Sequence, residues 1–309
     1  IPGNSIPANV GSMFNTGFEL SLTSYNISKP NLSWTTNFNF TFIKNEVTEL
    51  APGVTEIRTA TADLETTNIT VVGKPVGNLL AVETRGVDPQ TGRRIFVNAA
   101  GKEILYSHEA PSATRWTYRS DGAPAPAVNT ASDAVAWASP LPKFYGGLDN
   151  NLNYKNFDLA LNLTYSMGFY VYAGSKAGIR DQRWWNNSVE VYKTAWKKAG
   201  DITNIPKPII NDNVSNGSAF PITENIEKGD YLKVRNISLG YTFKNILPGA
   251  MKIESLRVYG QVFNAAVFTK YSGSDPEVST NSDSNLAPGV DRNTAPQSRT
   301  YTFGLNISF

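Results

Sequence analysis

The stretch Phe157-Asp158-Leu159-Ala160-Leu161-Asn162-Leu163-Thr164-Tyr165-Ser166-Met167-Gly168-Phe169-Tyr170-Val171-Tyr172 has a period of two. Its odd positions are apolar throughout, and its even positions are polar, small or hydroxyl-bearing. Side chains of a strand point alternately to opposite faces, so the spacing predicts one strand over 157–172 with an apolar face and a polar face. An ordinary globular strand has only about 5 to 6 residues. The pattern recurs from Leu32 to Phe42, from Ile237 to Phe243 and from Tyr301 to Phe309. Predicted strands therefore run over 17–27, 32–44, 143–154, 157–172, 231–243, 255–268 and 299–309, with a bulge where the phase slips at Phe263 and Asn264. The sequons at Asn39, Asn162, Asn236 and Asn306 follow from the alternation and need no glycan.

The links between these strands are very unequal. Ser28–Asn31, Lys155–Asn156 and Lys244–Lys252 read as tight turns. The stretches 45–142, 173–230 and 269–298 are long, polar and rich in Gly, Pro, Asn and Ser, and are expected to be structureless loops over a pore mouth. Strict alternation of short and long links is the habit of outer-membrane barrels, with short turns on one side and long extracellular loops on the other. The chain has 309 residues, no Cys, a single His, and 28 Lys+Arg against 26 Asp+Glu. That excludes a disulfide framework, a thiolate metal site and a two-His zinc motif. Interspersed charges argue against a nucleic-acid partner. A mean hydropathy of −0.28 fits a barrel, whose alternating strands average out as hydrophilic. The opening Ile1-Pro2-Gly3 shows neither Met nor a charged-plus-apolar leader, so the sequence is expected to be either a processed product or a piece of something longer. Seven strands leave two open edges, so the sequence reads as part of a larger barrel closed by strands before Ile1. A passive porin or adhesin-like barrel and a soluble lectin-like β protein are the alternatives from other classes.

Several blocks resemble SusC/RagA-type TonB-dependent transporters. They are Asn15-Thr16-Gly17-Phe18-Glu19-Leu20-Ser21-Leu22, Lys143-Phe144-Tyr145-Gly146-Gly147, Tyr154-Lys155-Asn156-Phe157-Asp158-Leu159, Gly229-Asp230-Tyr231-Leu232-Lys233-Val234-Arg235-Asn236 and Tyr271-Ser272-Gly273-Ser274-Asp275-Pro276-Glu277. The resemblance implies an all-β fold, the C-terminal segment of a large antiparallel transmembrane barrel of the roughly 22-stranded type with long extracellular loops. It further implies the outer membrane of a Bacteroidetes-type bacterium and uptake of glycan oligosaccharides, or of oligopeptides. The implied partners are a SusD-like surface lipoprotein, TonB, and a plug and remaining barrel outside this chain. The family's acidic loop reads Phe96-Val97-Asn98-Ala99-Ala100-Gly101-Lys102-Glu103-Ile104 here, a departure that removes the argument for a metal.

Within the barrel reading, flat aromatics of the long loops are the candidates for ligand or partner contact: Trp116, Tyr118, Trp184, Trp185 and Trp196. Packing of one loop on another is the competing role, above all for Trp196. The polar strand residues Asn37, Asn39, Asn162, Asn236, Arg257, Tyr259, Gln261 and Asn306 are expected to face the lumen. The aromatic-ended strand with Tyr301, Phe303, Leu305, Ile307 and Phe309 resembles the signal read by the barrel-assembly machinery. His108 has no second ligand near it in sequence, and Asp275, Glu277, Asp283 and Asp291 have no calcium-loop spacing, so turn formation is their expected role. No pair of carboxylates is placed for catalysis; neither an enzyme nor a cofactor is expected.

Overall fold

The computed structural model describes residues 11–61, 65–244, 253–281 and 284–309. Most of the link expected over Lys244–Lys252, Asp283 and Ile1-Pro2-Gly3 lie outside these. Seven strands form one antiparallel meander: β1 Ser12–Lys29, β2 Leu32–Glu49, β3 Phe144–Tyr154, β4 Phe157–Met167, β5 Tyr231–Lys244, β6 Ser255–Thr269 and β7 Thr300–Ser308. Each pairs with its neighbours in chain order, and among the described residues the outer edges of β1 and β7 are unpaired. The all-β barrel-wall class expected from the alternation is the one observed. No described helix is long and apolar enough to cross a membrane.

The register carries the alternation across the wall. Phe18, Phe42, Phe144 and Met167 lie opposite one another on one face, and ten residues further along β3 so do Leu32, Tyr154, Phe157, Tyr241, Val258 and Leu305. Rings cluster at both levels, Phe42 against Phe144 at 5.4 Å and Phe157 against Tyr241 at 4.6 Å between centroids. Ten steps of a strand span roughly 33 Å, or about 25 Å at a tilt near 40°, the height of the apolar band of an outer-membrane barrel. The face between the two aromatic levels is open: Phe18 is 57%, Leu239 54% and Phe303 85% exposed. Left in water, such a surface would be far larger than a soluble monomer tolerates, so lipid is its natural solvent. One polar row, Ser24, Thr36 and Asn150, interrupts it. Trp34 Nε1 and Thr36 Oγ1 donate to Asn150 Oδ1 at 3.0 and 2.8 Å, and Asn26 Nδ2 donates to Thr36 Oγ1 at 2.7 Å. That pairing offsets the cost of polar groups facing hydrocarbon.

The opposite face carries Asn37, Asp149, Asn162 and Asn236 in one row and Ser238, Gln261 and Thr302 in another. Near the end with the tight turns, Arg257 forks onto Asp158, with Nε 2.9 Å from Oδ1 and Nη2 2.5 Å from Oδ2. It reaches Asp158 over Gly240, where an added Cβ would lie 2.6 Å from both side chains. The same guanidinium stacks on Tyr259 at 4.6 Å. Tyr259 in turn lies over Gly304, 2.4 Å from where a Cβ would be.

Two expectations need correction. The strand expected over 157–172 breaks at Gly168, whose φ of +80° ends β4 and whose N–H donates to Asp230 Oδ1 at 2.6 Å. Residues Tyr170–Ala173 then join a different sheet, with Ile226–Lys228 and Val290–Asp291. The long links are also far from structureless. The first holds two four-stranded sheets, and the three together form a canopy at one end of the wall. Its clusters draw on all three links: Leu79 and Ala81 from the first pack with Tyr172 and Ile226 of the second and Val290 of the third. The phase slip at Phe263 and Asn264 coincides with a register shift between the pairs Val234–Ala266 and Asn236–Phe263. Asn264 has φ 51° there.

Candidate functional site

The canopy separates the five loop aromatics. Trp116 lies between Phe96 and Tyr106, with ring centroids 5.4 and 4.6 Å away, and packs on a buried cluster. Trp196 donates its indole N–H to Pro89 O at 2.9 Å. Its ring covers Gly92, where a Cβ would sit 2.5 Å from it and where φ is +71°. Glycine is therefore required at that contact. Trp196 thus joins the second link to the turn of the first, Asp88-Pro89-Gln90-Thr91-Gly92. Tyr118 is half-buried, carries the Lys102 ammonium 5.1 Å from its ring, and borders a cleft of about 660 Å³ with Arg119 and Glu103. Trp184 and Trp185 are free, 64% and 101% exposed, beside a hollow of about 490 Å³ reaching Ser175, Asn186 and Asn293. The structure brings this last pair together and leaves the other three apart from it.

The strongest electrostatic feature joins residues far apart in sequence. Tyr231, Lys233 and the bulge residue Arg235 rise along the polar face of β5, and all three bond to Glu277 in the third link. Lys233 also donates to Asp275 Oδ1 at 2.7 Å, and both partners are 6% exposed at the side chain. Arg235 holds Thr164 Oγ1 at 2.9 Å and Gln297 Oε1 at 3.0 Å. Burial raises the Glu277 carboxyl, but hydrogen bonds from Lys233 and Tyr231 outweigh it and leave the group below the usual carboxylate range. Asp275 does make a turn, accepting from Glu277 N at 3.0 Å. The turn is also one half of an ion cluster that sequence spacing could not show.

Similar ties hold the rest of the canopy. Glu227 accepts from Lys176 at 2.5 Å and from Ser272 N and Oγ at 2.8 Å, so it links the second and third loops. Burial raises it, and these donors more than reverse the effect. Asp88 and Asp181 are lowered in the same way, against burial, by Thr91 and Arg119 for the first and by Arg183 and Ser218 for the second. Arg94 is fully buried and donates to Ser215 O at 2.9 Å and Asn204 O at 2.7 Å; burial pushes its guanidinium down to about 10. Asp291 accepts from Tyr271 Oη at 2.7 Å and Ser175 Oγ at 3.0 Å. Among the described residues His108 hydrogen-bonds only with Tyr106 Oη, at 3.1 Å. Among the described residues no three His, Cys, Asp or Glu side chains gather as a metal site. The arrangement can bind and hold.

One further hollow, about 440 Å³, lies where the canopy meets the polar face of β2 and β3, between Pro75, Leu141 and Pro142 on one side and Ile43 and Tyr145 on the other. Sequence reading missed it because its two walls are brought together only by the fold.

No protein-family profile matches the sequence. The chain is 29% identical over 330 residues to TonB-dependent receptor P3 of Formosa agariphila, covering 97% of this chain and 29% of that protein. It is 25% identical over 314 residues to TonB-dependent receptor SusC of Bacteroides thetaiotaomicron, covering 97% of this chain and 27% of that one. The chain therefore spans less than a third of the length of these relatives. Among solved structures, the RagAB peptide transporter is similar with a TM-score of 0.72 at 23% identity, covering 97% of this chain and 30% of that one. The RagAB peptide importer in the open-open state gives 0.73 at 22% identity, covering 97% and 29%.

Proposed function

For a segment of an outer-membrane β-barrel homologous to TonB-dependent receptors and SusC, we propose the wall and outer canopy of an energised nutrient importer. Its relatives are receptors and transporters, not enzymes. The observation that carries the reading is a wall with one lipid face and one polar face, capped at a single end by interlocked loops. Asn37, Asn39, Asn162, Asn236, Arg257, Tyr259, Gln261 and Asn306 line the lumen. They offer amide, hydroxyl and guanidinium partners to a hydrated oligomeric ligand. Trp184 and Trp185 are flat, exposed and held on a folded loop, so they serve ligand or lid contact. Tyr301, Phe303, Leu305, Ile307 and Phe309 display the apolar face of the last strand to the assembly machinery. The proposed ligand is a glycan oligosaccharide delivered with a SusD-like lipoprotein. Energy comes through TonB, acting on a plug outside this chain.

The test is a strain lacking the full-length protein, offered oligosaccharides and oligopeptides as the limiting nutrient. Loss of growth on one class assigns the ligand, and undiminished uptake of both refutes the importer reading. A second reading, oligopeptide import, is favoured by the apolar lining of the hollow beneath the canopy.

A further inference from the structure

The hollow at the rim of the wall is unlike the rest of the polar face. Its lining is mainly apolar, with Phe42, Ile43 and Tyr145 from the wall and Pro75, Leu141 and Pro142 from the canopy. Most of the polar groups that share the lining are already engaged. Asn45 Nδ2 donates to Asn15 Oδ1 at 2.7 Å, and Asn45 Oδ1 accepts from Val76 N at 2.8 Å. Ser139 Oγ accepts from Leu141 N at 3.1 Å. A sugar ring needs several uncommitted donors and acceptors around it, and this site withholds them. Two groups remain. Tyr145 is 39% exposed, and among the described residues its hydroxyl has no hydrogen-bond partner. Lys143 is exposed, and its ammonium enters no ion pair or hydrogen bond among the described residues. Its backbone is fixed, Ile43 N donating to Lys143 O at 3.0 Å and Lys143 N to Met167 O at 3.0 Å. The backbone that carries this cation is thus fixed beside an apolar hollow whose volume, about 440 Å³, lies within the range of small-ligand pockets.

We infer that this hollow is a subsite for a peptide ligand whose apolar side chain enters between Leu141 and Ile43 while an adjacent carboxylate meets Lys143. The side chain gains burial and the carboxylate gains a charge-assisted partner. The inference rests on the importer reading in its second form, with an oligopeptide as the ligand. A carboxyl-terminal leucine fits both requirements.

The experiment uses the full-length protein, purified from membranes in detergent, with four probes: Gly-Ser-Gly-Ser-Gly-Leu, the same peptide ending in Ser, the Leu peptide as its carboxyl-terminal amide, and maltohexaose. Binding is read by calorimetry, and uptake of the same compounds is read in cells. The Leu peptide is expected to bind at least about tenfold more tightly than the Ser peptide, the gain for burying most of a leucine side chain. Leu141→Asn should abolish that preference. Lys143→Gln should remove the preference for the free carboxylate over the amide while keeping that for Leu over Ser. Both variants must keep the heat-modifiable gel migration of a folded barrel. Equal binding of Leu and Ser peptides, or discrimination that survives Leu141→Asn, overturns the subsite and leaves the importer intact. Binding and uptake of maltohexaose alone does the same. Failure to take up any of the four overturns both readings.

Discussion

Replacing Lys233 by Met should release the third canopy loop from the wall without disturbing the wall. Lys233 and Asp275 are each 6% exposed at the side chain, and Glu277 is 19%. Removing one member of a buried ion pair costs about 3 to 5 kcal/mol because the other charge is left stranded. Here the remaining carboxylates are not wholly abandoned. Asp275 keeps the bond from Glu277 N at 3.0 Å, and Glu277 keeps Tyr231 and Arg235. The lower end, about 3 kcal/mol, is therefore the expected cost of Lys233→Met, equivalent to a rise of about 150-fold in the open population of the loop. Hydrogen–deuterium exchange on the full-length protein reads that population directly when closing outpaces exchange. Amides of 275–281 should accelerate by about two orders of magnitude, with those of β3 and β4 unchanged. Asp275→Asn combined with Lys233→Met should cost less than the two single changes added together, since neither charge is then stranded. The Lys233→Met effect should also be nearly the same at low and high salt, because a buried pair is poorly screened. Unchanged exchange in Lys233→Met, or strict additivity in the double variant, would refute the clamp.

Further outcomes follow from the same geometry. Asp88, Asp181, Glu227 and Glu277 are all held below their ordinary range, so their stabilisation is complete above the unfolded values near about 4 and fades as pH falls through the lowered ones. Proteolysis of the canopy should be flat from about pH 8 to 5 and rise below about 4, while the barrel persists on gels. Trp196→Ala removes a packed indole and its bond to Pro89 and should destabilise the junction of the first two loops by about 3 kcal/mol. In thermal unfolding Trp185→Ala should be silent, because nothing covers that ring, and any effect it has should fall on ligand or lipoprotein binding. Gly240→Val would put carbon where the Arg257 and Asp158 side chains now cross. It should lower the yield of heat-modifiable barrel several-fold, whereas Ser238→Val, in the same strand and without that crossing above it, should not.

The wall was legible because two different solvents lie against it. Lipid on one side and water on the other impose a period of two on Leu159, Leu161, Leu163 and their neighbours, and nothing remote is needed to see it. The same reading failed at Gly168 for a physical reason. Phe169 and Val171 continue the apolar alternation, but they are buried, at 7% and 0% exposure, against Tyr231 and Tyr271. Alternation reports that a face is dry and cannot say whether lipid or protein dries it. The canopy was illegible because its strands are short, Arg94–Val97 or Glu103–Tyr106 for example. Their stability comes from residues far along the chain, such as Ile222 packing on Val82 and Phe96. Of the loop aromatics, Trp196 stood in a local pattern that already suggested packing. Nothing in the sequence distinguished Trp116, which is packed, from Trp184, which is free. The ion cluster and the apolar hollow each join segments tens of residues apart, and only folding brings them together.

The length of β2 has a consequence for how a solute meets this protein. Its 18 residues reach about 43 Å along the normal at a tilt near 40°, of which the apolar band takes about 25 Å. Some 18 Å of wall therefore stands beyond the apolar band as a parapet, through the headgroup layer and past it, and the canopy rests on that parapet. A molecule arriving from outside meets a vestibule before it reaches the depth of the headgroups. There, diffusion becomes a search over a smaller area, and a weak contact is enough to slow the molecule's escape.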